Sequence, residues 1–204
     1  MKKIWFVVLL TLGALLGCST IGGRRAHPLF NGRDLAGWTT MYGGEWAVED
    51  GVLVGRNGTN WSTNPEKSGS WLSTDKQYGD FILELEYSVN QDGNSGVFFR
   101  SAHEKNPAFT GYEMQVIADQ GRPPTKGSAG SLYDVVPATK NMSKAAGEWN
   151  QVKIVAEGRH VQILWNGELT IDYDTDRALR GYIGLQNHDS KSVVRFRNIR
   201  ITEL

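Results

Sequence analysis

Alternation with a period of two constrains this chain more than any other feature. Over residues 81–89, Phe81, Leu83, Leu85, Tyr87 and Val89 fall on one side, and Ile82, Glu84, Glu86 and Ser88 on the other. Successive side chains of an extended strand point to opposite faces, so nine residues of this pattern predict a strand with one apolar and one mostly polar face. Residues 91–95 are rich in Gly and Asn, which tolerate positive φ, and predict a turn. Two further strands are expected at 96–100 and 112–117, the second with Glu113 and Gln115 on one face and Tyr112, Met114 and Val116 on the other. If the three strands are neighbours, Glu84, Glu86, Arg100, Glu113 and Gln115 share one wet surface.

The same rhythm continues elsewhere. Residues 46–48 and 52–54 flank Glu49, Asp50 and Gly51 as a tight hairpin, and Asn166-Gly167 joins strands at 161–165 and 169–173 through a type I′ turn. Strands are also expected near 71–73, 151–156, 181–186 and 193–201. Residues 176–180 could form a single helical turn. The segments 56–70, 101–110 and 118–131 read as long loops, a length common in functional segments. About a dozen short strands, no long helix and no internal repeat predict an all-β, two-sheet antiparallel sandwich of the jelly-roll type. Its 24 glycines suit frequent turns.

The N-terminus has a separate purpose. Lys2 and Lys3 precede an apolar run, residues 4–16, that ends in Leu15-Leu16-Gly17-Cys18. This is the form of a lipoprotein signal peptide, too short to favour a membrane span. The expected organisation is a signal peptide over 1–17, an acylated Cys18 with a tether over 18–27, and a sandwich domain over 28–204. Cys18 is the single cysteine, so no intrachain disulfide can form. Lipid on Cys18 would tie the domain to a membrane leaflet of a bacterial cell envelope, on the periplasmic side of the outer membrane or at the cell surface. Cleavage would leave 20 basic against 22 acidic side chains, without the basic excess that a nucleic-acid partner demands.

An ordered set of motifs resembles the 3-keto-disaccharide hydrolase domain family. It comprises Leu29-Phe30-Asn31-Gly32 with Gly37-Trp38, Asn94-Ser95-Gly96-Val97-Phe98-Phe99-Arg100, Gly111-Tyr112-Glu113-Met114-Gln115, Leu132-Tyr133-Asp134, Gly147-Glu148-Trp149-Asn150, Asn166-Gly167, Gly184-Leu185-Gln186-Asn187-His188 and Phe196-Arg197-Asn198-Ile199. The resemblance spans about residues 28–204 and implies a concanavalin A-like jelly roll. Asp189-Ser190-Lys191 stands where the family often has a glycine, a departure that bears on the shape of that loop. The implied substrate is a glycoside or disaccharide oxidised at C3 of one sugar. The ketone acidifies the C2 proton, so a base can form an enolate that expels the C1 substituent, and water can add afterwards. That chemistry wants a base near C2, donors at the enolate oxygen and an acid at the leaving oxygen. Direct hydrolysis would instead want two carboxyl groups at a defined separation.

On this basis the candidate catalytic residues are Glu113 as general acid or base, His188 as a proton-transfer group, and Arg100 as the holder of an oxyanion or carbonyl, with an ion pair to Glu84 or Glu86 as its alternative. Counting by twos from Tyr182 through Gly184 and Gln186 brings His188 to the polar side. Gln115, Tyr133, Asp134, Gln186, Glu86, Asn94 and Trp61 are the candidate substrate-binding residues. Glu84 and Glu86 fall short of the Glu-x-Asp-x-Glu triplet that glucanases of this fold normally present, which disfavours ordinary endo-glucanase activity. No cofactor is implied; a divalent metal held by Asp, Glu and His stays open, although no His-x-Glu-x-His spacing occurs. The competing readings are a non-catalytic carbohydrate-binding lipoprotein, stacking sugars on Trp61 and Tyr133, and a lipoprotein that only tethers a partner.

Overall fold

Residues 24–60 and 69–204 are described by a computed structural model, so Cys18 and Trp61 lie outside the described residues. Thirteen strands and one short helix follow in order: β1 (His27–Pro28), β2 (Trp38–Met41), β3 (Glu45–Glu49), β4 (Val52–Arg56), β5 (Trp71–Tyr78), β6 (Phe81–Val89), β7 (Asn94–Ser101), α1 (Pro107–Thr110), β8 (Tyr112–Ile117), β9 (Asn150–Glu157), β10 (His160–Trp165), β11 (Glu168–Asp174), β12 (Gly181–Gln186) and β13 (Val194–Glu203). They form two antiparallel sheets. The first runs β11-β10-β9-β6-β13-β4-β3 with β1 added beside β13, and the second runs β2-β5-β12-β7-β8.

The hairpin turns follow the sequence: Asp50-Gly51 and Asn166-Gly167 all have positive φ, as type I′ turns require. The stretch 176–180 contains no helical turn, while a four-residue helix occupies 107–110 inside a segment expected to be a loop. Its start is set by Asn106, whose Oδ1 accepts from the Ala108 N–H at 3.0 Å, followed by Pro107 in the first turn.

Alternation decides what each strand buries. Phe81, Leu83, Leu85 and Tyr87 from β6 meet Leu72, Val97, Phe99, Met114, Ile183 and Leu185 from the opposite sheet in one core. β13 keeps its apolar side inward across a bulge. Its pairing with β6 shifts between Arg197 and Arg200, and Asn198 takes a positive φ, so Ile199 rather than Asn198 turns inward after Phe196.

Two expectations about the sheet are corrected here. β6 does not neighbour β7: the turn after Val89 carries the chain from one sheet to the other, and β6 pairs with β9 and β13. Glu84 and Glu86 therefore lie on the outer face of the eight-stranded sheet, Glu84 3.7 Å from Lys153 Nζ and Glu86 2.6 Å from Arg197 Nε. Glu86 is a structural ion-pair partner in the wrong sheet to meet Glu113.

Arg100 is the second correction. The β7–β12 register slips between Tyr182 and Gly184, and Arg100 sits at that bulge with φ +53°. The slip takes its side chain off the face that Phe98 shares with Asn94 and Gly96. The fully buried guanidinium donates to Gly79 O at 3.0 Å and Gly158 O at 2.6 Å, and pairs with Asp80 at 2.9 Å. It joins the β5–β6 and β9–β10 corners. Neither Glu84 nor Glu86 is its partner.

Candidate active site

The five-stranded sheet has a second, smaller apolar cluster on the face turned away from the core. Trp71, Phe98 and Ala108 are buried there, with Met41, Tyr42, Tyr133 and Tyr182 packed against them. Trp71 packs over β12 because residue 184 is glycine: a Cβ there would run into the Trp71 ring. Beside this cluster the same face turns polar, and a cleft opens that is lined by Asn94, Asn106, Ala108, Glu113, Gln115, Tyr133, Gln186 and His188. Its innermost space is about 30 Å³. That volume takes one water-sized group, so a sugar could insert only a hydroxyl or carbonyl and would rest its ring above.

Three strands supply the floor. β8 contributes Glu113 and Gln115, β7 contributes Asn94, and β12 with its extension contributes Gln186 and His188. The free edge of β8 is covered by residues 128–136: Gln115 N–H donates to Ser131 O, Gly130 N–H to Gln115 O and Tyr133 N–H to Glu113 O. This pairing swings Tyr133 over the cleft. From the other side residues 102–111 bring Asn106 and Ala108, and the exposed Phe109 ring stands 6.2 Å from that of Tyr133.

Glu113 is 3% exposed, and its carboxyl has no hydrogen bond or ion pair among the described residues. Burial pushes it well above the ordinary carboxylate range, because a charge there would lose its water without gaining a partner. Its position depends on β7. Gly96 lies under the side chain, and a Cβ on residue 96 would fall 2.7 Å from the carboxyl carbon and 2.8 Å from Cγ. Gly96 thus leaves the space the acid occupies.

Other polar groups also await partners. Among the described residues Asn94 Oδ1 and Gln186 Oε1 are buried without a hydrogen bond, and such groups are rare in folded proteins. Gln115 uses its Oε1 to accept from the Val116 N–H at 3.2 Å, leaving its amide NH₂ as the donor. Burial is the main cause that raises the Tyr133 hydroxyl above its ordinary value, and the Asp134 charge adds to it. His188 Nδ1 lies 2.8 Å from Asp189 Oδ2, and Nε2 lies 3.2 Å from Asn60 Nδ2.

The structure thus brings together Glu113, His188, Gln115, Tyr133, Gln186 and Asn94. Arg100 and Glu86 are elsewhere, for the reasons given above. Asp134 also falls outside the cleft: it is exposed, with φ +59°, and its N–H donates to Lys126 O. The positive φ turns its side chain out of line with Tyr133. Sequence reasoning missed Asn106, Ala108, Asn60 and Asp189. Asn106-Pro107 is a helix-start signal that could have marked the first two. Among the described residues no group of three or more His, Cys, Asp or Glu could hold a metal ion.

Residues 25–202 match the family described as 3-keto-alpha-glucoside-1,2-lyase-like domains. The chain belongs to that family. A curated relative, a 3-keto-disaccharide hydrolase of Bacteroides thetaiotaomicron, is 27% identical over 86% of this chain and 77% of its own length. A crystal structure of a provisionally named glycosyl hydrolase from Parabacteroides distasonis superposes with a TM-score of 0.72 at 25% identity, covering 88% of this chain and 94% of that one. A carbohydrate-binding module of Bacillus subtilis shares the fold at 22% identity and TM-score 0.60, covering 82% and 96%.

Proposed function

We propose that this glycoside-hydrolase-like enzyme cleaves the glycosidic bond of a 3-keto-glycoside by elimination followed by hydration. The observation that carries the reading is Glu113: an acid whose protonated form burial favours, without a partner among the described residues, in the same cleft as a histidine. A protonated carboxyl can donate and an imidazole can accept, so the two side chains can serve as acid and base.

The sequence of steps follows. His188 Nε2 takes the C2 proton of the keto sugar, and the electron pair forms the enolate. The C1–O bond breaks, the double bond shifts to C1–C2, and the leaving oxygen takes the Glu113 proton. Water then adds: the Glu113 carboxylate accepts one of its protons as hydroxyl bonds to C1, and the His188 imidazolium returns a proton to C2. Both residues end as they began. The C3 oxygen would be held by neutral donors, the Gln115 amide and the Tyr133 hydroxyl, rather than by the guanidinium expected from sequence. Asn94 Oδ1 and Gln186 Oε1 offer acceptors to sugar hydroxyls. Asn60 donates to Nε2 over a long 3.2 Å contact, which substrate would displace on binding.

The test is turnover of a 3-keto-disaccharide in D₂O. Released sugar carrying deuterium at C2 supports elimination. Released sugar without it would select direct displacement, and no release by the purified domain would sink the reading.

A further inference from the structure

His188 is followed by an aspartate that the proposed chemistry has not yet used. We propose that Asp189 is a positioning residue that holds His188 as the Nδ1–H tautomer, so that Nε2 is the bare nitrogen available as the base. This inference rests on the role of His188 in the function proposed above.

The geometry around the carboxylate is asymmetric. Oδ1 accepts three hydrogen bonds from its own loop: Lys191 N–H at 2.9 Å, Ser192 N–H at 3.0 Å and Ser192 Oγ–H at 3.0 Å. Oδ2 is left to face His188 Nδ1 at 2.8 Å. Burial alone would raise this carboxyl, but the bonds from His188, Lys191 and Ser192 outweigh it and hold Asp189 below the usual carboxylate range. An ionised carboxylate can only accept. The Nδ1 atom must therefore carry the hydrogen, and a neutral ring then has its lone pair on Nε2. The opposite contact agrees, since an Asn60 NH₂ donor 3.2 Å from Nε2 needs an acceptor there.

The loop is also anchored independently of the imidazole. Ser192 Oγ accepts from Asn94 N–H at 2.9 Å, His188 N–H donates to Asn94 O, and Gly58 N–H donates to Asp189 O. The dyad is thereby fixed to β7, the strand whose Gly96 makes room for Glu113. One strand sets the position of both proton-transfer groups.

The asymmetry makes Asp189→Asn a sharp instrument. Three donors keep the amide oxygen at the Oδ1 place, so the NH₂ group must occupy the Oδ2 place and point at Nδ1. That reverses the tautomer while leaving the loop bonds intact, and Nε2 then carries a hydrogen and cannot act as base.

The experiment has two arms on the full domain. Long-range ¹H–¹⁵N correlation of ¹⁵N-histidine protein at pH 8, with His188→Gln used to assign the signal among four histidines, reads the tautomer directly. We expect Nδ1–H in the wild type and Nε2–H in Asp189→Asn. Kinetics on a 3-keto-disaccharide should show kcat lowered by about 100-fold or more, the lower range of a general base's contribution, with KM nearly unchanged. A wild-type ring protonated at Nε2, or at both nitrogens at pH 8, would overturn the proposal. So would an Asp189→Asn enzyme that keeps Nδ1–H, or one with near-wild-type kcat. A wild-type protein with the expected tautomer but no turnover would instead refute the substrate reading and leave the tautomer assignment standing.

Discussion

Two polar sheet faces in this molecule treat their acids in opposite ways. On the outer face of the eight-stranded sheet Glu84 and Glu86 are each met by a cation, Lys153 and Arg197, and Arg197 also lies 4.0 Å over the Trp149 ring. On the outer face of the five-stranded sheet Glu113 is buried and, among the described residues, unmatched, next to two amide oxygens that also lack partners there. A satisfied charge in water costs little and does little. An unsatisfied buried acid costs stability of order 1–3 kcal/mol, and proteins keep such groups mainly where function uses them.

The comparison can be broken by neutralising each face in turn. Glu113→Gln should lower kcat by about 10²–10⁴, the range of general acid–base catalysis, while leaving the melting temperature unchanged or higher. Loss of both activity and stability would mean that Glu113 is an ordinary structural group. Arg100→Ala should do the reverse. It strands the Gly79 and Gly158 carbonyls and empties a buried site, so about 2–4 kcal/mol of unfolding free energy should be lost with kcat of the folded fraction retained. Denaturant melts and active-site-normalised kinetics would check this.

Gly96→Ala probes the same carboxyl from the neighbouring strand. One methyl would push the acid off its position, and a displacement near 1 Å can cost up to about 100-fold in rate; a change under twofold would show that the space is not needed.

The pH dependence of stability offers a milder test. Because burial raises the folded-state pKa of Glu113 above the ordinary carboxylate value of 4.5, folding is favoured while the group is protonated. That contribution is complete below about pH 4.5 and is lost as pH rises toward the folded value. Urea melts across this range should show the decline in wild type and its absence in Glu113→Gln. Smallest of all, Glu84→Gln should cost at most about 0.5 kcal/mol and leave kcat unchanged, since an exposed pair contributes little.

Much of this was readable in the residues. Period-two alternation found β6 and β8, and Asp-Gly and Asn-Gly fixed two hairpins. Counting by twos along β12 brought Gln186 and His188 to the face of Glu113. Sheet membership was not readable, because residues 90–93 have the composition of a hairpin turn yet carry the chain between sheets. Local chemistry cannot tell these apart; only which partner strand buries Leu83 and Leu85 can. Arg100 failed for a similar reason. A bulge is one residue out of register, and nothing in Phe98-Phe99-Arg100 marks where the pleat slips. Asp189 was noticed only as a departure in loop shape, since its value depends on a ring nitrogen that periodicity does not describe.

The Arg100 clamp has a consequence for assembly. Its guanidinium must find carbonyls from two corners that lie about 20 and 60 residues away in sequence. Full docking of the Arg100 side chain on β7 therefore waits on the corner between β5 and β6 and on the corner between β9 and β10. Slow steps in refolding should be sought at the Arg100 end of β7, where the two sheets are tied together, rather than at the cleft that holds Glu113 and His188.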